Sequence, residues 1–332
     1  MNENTQKLTF GALLVAVFGV LLVLNRQTGA MLEETFIFLF PIPMVAFSAR
    51  YGLKDSLPVF VCTVLISIFC GIFSSAFYAV TQSFIGMIYG SCIHAKKDMT
   101  RTMLLIMGLS AVSNLLSSVV LASLFGMNLQ EDIAAMQTGM TEALSRAASM
   151  GGQLTEAQQK AFDLILQPDA LMRLLIVSMI FMGAVQGFVV CQLSVIILRR
   201  LRFPIKKPAP IVSYYPPRWS GILALILFMG YGSAVAMPQT TGRAELIRVA
   251  LQSGGLFGYM YLLAFGYIAV LLFFRAFGPG TKWLGVVLAL LACFILPQLV
   301  LFAGAAYISL GLHEWLVRKI GERAGGKPAA RS

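Results

Sequence analysis

Apolar residues run through this chain in long unbroken blocks. Leu8 to Leu24 is 17 residues without a charge, and comparable runs cover 57–73, 103–125, 171–198, 219–237 and 254–274. A hydrocarbon core of roughly 30 Å takes about 20 residues of helix at 1.5 Å rise each. Backbone donors and acceptors meet no water there and must pair within their own segment, which makes helices the spanning structure. With the shorter runs included, about nine or ten segments are apolar enough to be embedded. The expected fold is all-α, a polytopic transmembrane helical bundle.

Three stretches break the pattern. The second run, Phe36 to Ser48, has only 13 residues and contains Pro41 and Pro43. Each proline removes a donor and clashes with the preceding turn, so a broken or partial helix is expected. Such interrupted spans line binding sites in transporters; a kinked, packed helix is the plain alternative. Residues 283–317 as one helix would measure about 52 Å, beyond any apolar core, so a hairpin broken near Pro297 is expected. The segment 126–169 has six acids and two bases, with Ile133, Met136, Met140, Leu144 and Ala147 at helical spacing. Thr155 and Gln158 read as a capping box of a second short helix. Asp169 is placed to cap the following helix and to pair with Arg173 at i+4. A cap over a cavity and an inert surface elaboration both fit this segment.

Composition narrows the class. Hydrophobic residues are 58% and charged residues 12%, so connections are short. The net charge of +11 is spread through segments flanking the helices, with no folded basic face, and nucleic acid is excluded as a partner. Placing the N-terminus in the cytoplasm and alternating puts 14 Lys and Arg inside and 6 outside before the C-terminal tail is counted. With 283–317 as a hairpin, the tail cations Arg318, Lys319, Arg323, Lys327 and Arg331 join the inside set. The expected organisation is a six-helix membrane domain (1–200, with 126–169 as an extracytoplasmic insertion), a proline-rich basic linker (201–218), C-terminal helices (219–317) and a basic tail (318–332).

Chemistry is sparse. The five cysteines lie in or beside apolar runs without a C-x-x-C pair, which argues against disulfides and structural zinc. Residues 1–24 outline a signal peptide, yet Asn25-Arg26-Gln27 offers no small-residue cleavage site, so a retained helix is expected. His313-Glu314 lacks the second histidine of a zinc protease, since position 317 is Val. Gly321 to Lys327 has phosphate-loop spacing, but Pro328 replaces the hydroxyl. No catalytic set, metal site or cofactor is expected, and the chain reads as a non-enzyme.

Ionisable side chains deep in the apolar runs are essentially missing, and the interior polar groups are amides and hydroxyls. Ser110, Asn114 and Ser117 fall at i, i+4 and i+7 on one helix face, with Gln82 and Gln186 on other spans. These five are candidate ligands for a small neutral or zwitterionic solute; interhelical hydrogen bonding is the plain alternative. Small residues four apart (Gly86 and Gly90, Gly183 and Gly187, Gly254 and Gly258) signal close helix packing.

The opening Lys7-Leu8-Thr9-Phe10-Gly11-Ala12-Leu13-Leu14-Val15-Ala16 resembles that of the substrate-binding (S) components of energy-coupling-factor transporters, as do the short second helix and six spans before residue 200. With Pro41-Ile-Pro43, Arg50-Tyr51-Gly52 and extra C-terminal spans, the chain over nearly its full length resembles the YybS-type family of bacterial membrane proteins. The resemblance implies a multi-pass protein of the bacterial cytoplasmic membrane. It also implies that Ala12 and Ala16 dock a transmembrane coupling subunit. The leading expectation is a transporter-like component binding a small molecule within its first six helices. The alternative is a membrane scaffold recruiting a partner through 199–218 and 313–332.

Overall fold

Prolines that look like helix breakers in the sequence begin a helix instead. In the computed structural model, which describes residues 3–29, 31, 33–125, 129–149, 166–203, 215–237, 243–277 and 282–323, Pro41 opens a helix running to Cys70. The first turn of a helix has no use for its N–H groups, so Pro41 and Pro43 cost nothing there. The break comes later, at Gly52, whose φ of 82° and ψ of 179° suit glycine.

Among the described residues the helices are α1 (Glu3–Gln27), α2 (Glu33–Phe36), α3 (Pro41–Cys70), α4 (Phe73–His94), α5 (Met99–Phe125), α6 (Leu129–Ser149), α7 (Pro168–Arg200), α8 (Arg218–Ala236), α9 (Arg243–Phe277), α10 (Lys282–Ile295), α11 (Pro297–Ser309) and α12 (Leu312–Arg323), with no strand. The nine or ten apolar runs resolve here into six helices long and apolar enough to cross a bilayer, or seven with one bent pair. Among the described residues the count falls because α3 joins two runs across Gly52, because α10 and α11 share a bend, and because α8 is not among the helices that pass. The Thr155/Gln158 capping box lies outside the described residues.

Polarity is turned outward-in. Leu8, Val20, Ile68, Phe69, Leu116 and Met229 are exposed, while Ser48, Ser56, Ser67, Gln82, Ser110 and Ser117 are buried. Water cannot solvate so much apolar surface, and lipid can. The fold is an all-α polytopic membrane bundle.

The chain divides into two compact units: Met1–Leu154 with Ser178–Pro208, and Thr155–Val177 with Ala209–Ser332. In unit 1 the first arm of α3, Pro41 to Ser48, is wholly buried. α4 runs beside it in the same direction: a methyl on Gly86 would strike the Pro41 carbonyl, and one on Gly90 the Val45 carbonyl. Phe18 and Leu22 of α1 pack with Phe36, Phe40 and Ala79 at the start of that arm. At its other end Lys7 pairs with Asp55 at 2.9 Å and Arg50 lies over the Phe10 and Tyr51 rings. His94 closes on the Ala49 carbonyl there, at 3.3 Å. The opposite end of α1 is tied by Asn25, which donates to Ser75 at 3.0 Å. Lys7, Arg50 and Lys54 therefore share one end of the unit. In α6, Ile133 is buried and Met136, Met140 and Leu144 are half-buried.

In unit 2, α9 is the spine. Gly258 abuts the Ala224 carbonyl of α8, while Gly266 and Gly304 let α9 and α11 meet backbone to backbone. Residues 286–292 and 297–309 bend by 111° at Leu296–Pro297. α12 then meets the ends of α8 and α9: Arg218 pairs with Glu314 at 3.1 Å, and Trp315 stacks on Phe277 at 5.5 Å.

Candidate functional site

Four of the five polar candidates are buried, and their surroundings separate them into two kinds. α5 and α7 run antiparallel and nearly touch. Gly183 sits against the backbone of Ser110 and Ala111, and Gly187 against Ile106, Met107 and the Ser110 hydroxyl. At this interface Asn114, half-buried, donates to the Met179 carbonyl at 3.2 Å. That bond ties α5 to α7.

The others lack such partners. Oε1 of Gln82, Nε2 of Gln186 and the hydroxyls of Ser110 and Ser117 are buried without a hydrogen bond. The same is true of Ser83, Ser194 and the Asn25 carbonyl oxygen. All seven of these orphan atoms belong to unit 1, on α1, α4, α5 and α7. Leaving such a group dry and unpaired costs about 1–3 kcal/mol. Ser110 and Asn114 share the α5–α7 interface, with Gln186 beside Gly187. Gln82 lies one turn before Gly86 on α4, and no hydrogen bond joins it to the α5–α7 set among the described residues.

Ala12 and Ala16 are exposed. Gly11 and Val15 line the same side of α1, and Gly11 and Gly19 bring α1 against Val59 and Ile66 of α3. Because alanine is short, a groove of about 380 Å³ opens between α1 and the second arm of α3, floored by Ala12, Ala16, Pro58 and Cys62. It is almost wholly apolar, with Lys7 at one end.

Unit 2 carries a charged network at the starts of α7 and α9, at the ends of the apolar runs rather than deep within them. Arg248 is 7% exposed and grips Glu245 with two bonds, Nε to Oε2 at 2.8 Å and Nη2 to Oε1 at 2.6 Å. Arg173 does not turn to Asp169. It stands 3.8 Å from Glu245 and donates through Nη1 to Gln252. Gln252, itself buried, donates to the Ala234 carbonyl at 3.3 Å. A carboxylate reached across helices, already half-desolvated, holds an arginine better than an exposed aspartate one turn away. Arg173, Glu245 and Arg248 all stand in the first turns of helices, and helical spacing within one helix could not show which of them meet across two.

Among the described residues no group of three His, Cys, Asp or Glu could hold a metal ion. Helices of spanning length with apolar exteriors and polar interiors define an integral membrane protein. The chain belongs to the family described as "Predicted membrane protein (DUF2232)", whose model matches residues 16–312. No curated protein and no solved structure matches it.

Proposed function

We propose that unit 1 is the solute-binding part of a non-enzymatic, transporter-like component of a bacterial cytoplasmic membrane. The observation that carries this is that, among the described residues, the seven orphan buried polar atoms all lie in unit 1. Carbonyl and amide ends and hydroxyls offer donors and acceptors together without a charge, which suits a small neutral or zwitterionic solute. In this reading Gln82, Ser110, Ser117 and Gln186 exchange their missing partners for the solute, and Asn114 holds α5 to α7. The buried, Gly52-hinged first arm of α3 is the half-span that transporters use beside their sites. The end carrying Lys7, Arg50 and Lys54 is cytoplasmic, by the positive-inside rule.

The Ala12/Ala16 groove supports the second half of the reading, docking of a coupling subunit of the kind that S components use. Two short side chains one turn apart admit a foreign helix closely. The chain is purified with a tagged coupling subunit, and native mass spectrometry reads any retained solute. Co-elution that Ala12→Leu/Ala16→Leu abolishes, and a solute that Gln82→Leu/Ser117→Ala loses, is the expected result. Failure of both, with cytoplasmic proteins captured through 199–218 and 313–332 instead, favours the scaffold reading.

A further inference from the structure

The network at the start of α9 holds an arginine with N–H donors left over, beside an apolar groove. Arg173 carries five N–H donors. One goes to Gln252. Glu245, whose two oxygens both accept from Arg248, stands at 3.8 Å, at ion-pair but not hydrogen-bond distance. Yet the Arg173 side chain is only 17% exposed, so water reaches it poorly. Among the described residues the charges of this end are Asp169, Arg173, Arg243, Glu245 and Arg248, three cations against two anions.

Alongside Arg173 and reaching inward from it lies a groove of about 270 Å³ lined by Ala170, Leu174, Phe228, Tyr231, Leu256 and Tyr259. The vertical order is fixed by the helices. Gln252 reaches Ala234, in the last turn of α8, so Arg173 and Gln252 mark the end of the span. Tyr231 and Phe228 come roughly 5 and 9 Å further in at 1.5 Å per residue. Leu174, the residue after Arg173, and Tyr231 both line the groove. An anion-seeking fork at headgroup depth over an aromatic trough at acyl depth matches one ligand class. Arginine binds phosphate oxygens in pairs, and the bilayer around the helices supplies the chain.

We propose that this end of unit 2 is a built site for an anionic phospholipid, its phosphate on Arg173 and one acyl chain in the groove lined by Phe228, Tyr231 and Tyr259. Glu245 and Arg248 are positioning residues: their mutual grip keeps Glu245 at ion-pair distance from Arg173 and leaves N–H donors of Arg173 for the lipid phosphate.

The test uses the full chain, delipidated in detergent and incubated with phosphatidylglycerol or with phosphatidylcholine of the same acyl chains, and read by native mass spectrometry. Wild type retains one phosphatidylglycerol and little phosphatidylcholine. Arg173→Gln retains about tenfold less, as loss of a charge-assisted hydrogen bond predicts. Ala170→Phe fills the groove without touching a charge and also loses the lipid, which covers a folding failure of the first variant. Arg26→Gln, an exposed arginine of unit 1, retains it. Millimolar inorganic phosphate leaves the lipid bound. Equal retention of both lipids, undiminished retention by both groove variants, or displacement by phosphate alone overturns the proposal.

Discussion

The Tyr307 hydroxyl and Nδ1 of His313 share a 2.6 Å hydrogen bond, and Tyr215 stacks on the same imidazole with centroids 4.5 Å apart. The Tyr215 hydroxyl in turn donates to the carbonyls of Tyr307 and Ile308. The last residues of the linker are thereby clasped to α11 and α12. Burial among these rings pushes the His313 pKa below the ordinary histidine value, with Glu314 opposing weakly. A histidine whose folded pKa is depressed contributes stability that is present above about pH 6.5 and lost as pH falls through the folded value. Acidification from pH 8 to pH 5 should therefore speed amide exchange in 312–323. His313→Phe should remove the pH dependence; unchanged dependence in that variant would refute the assignment.

Helix contact through glycine makes a sharper prediction. A Cβ on Gly266 lands on the Val300 carbonyl, and one on Gly304 lands on that of Leu262. Backbone cannot step aside without separating α9 from α11, so overpacking here costs about 1–3 kcal/mol or more. Gly266→Val should lower the melting temperature in detergent, and Gly304→Val likewise. Gly108 of α5 has nothing within 4 Å of its would-be Cβ. Gly108→Ala should be stabilising by about 0.5–1 kcal/mol through helix propensity.

The orphan polar atoms of unit 1 predict a conflict between stability and binding. Replacing an unpaired buried group by an apolar one of similar shape removes its desolvation penalty, about 1–3 kcal/mol. Ser117→Ala and Gln82→Leu should each raise the melting temperature of the solute-free protein. If the same atoms hold a solute, both variants lose its stabilising effect. A melting series with and without the cell-derived solute reads both. Destabilisation by Ser117→Ala without solute would show that its hydroxyl is already partnered.

How far the sequence speaks depends on whether the cause is local. The apolar runs were legible because lipid solvates a span residue by residue, and α1 and α5 fall where their hydropathy puts them. The face of Ser110, Asn114 and Ser117 was legible from helical period alone. Which of the three is satisfied was not, since Asn114 finds its carbonyl at Met179 on another helix. Pro41 and Pro43 were read as a break because proline disrupts a helix interior, whereas here they stand at its first turn and Gly52 makes the break. Arg173 illustrates the same limit. The i+4 rule pointed to Asp169, and the fold supplied Glu245 and Gln252 from a distant helix.

Glu245 sits between two guanidiniums, so its removal should be felt more than the loss of one ion pair suggests. Without the carboxylate, Arg173 and Arg248 face each other in a poorly hydrated corner with no counter-charge between them. Breaking a buried pair by deleting one partner is worse than replacing both, because the survivor is left uncompensated. Glu245→Ala should therefore lower the melting temperature clearly, and Glu245→Gln, which keeps the shape but loses the charge, nearly as much. The double variant Glu245→Ala/Arg248→Met should recover part of the loss, since Met fills the same volume without needing a partner. The coupling measured in that cycle separates the interaction from the bulk of the side chains. Strict additivity would mean that Glu245 and Arg248 contribute independently and that their close geometry carries no energy.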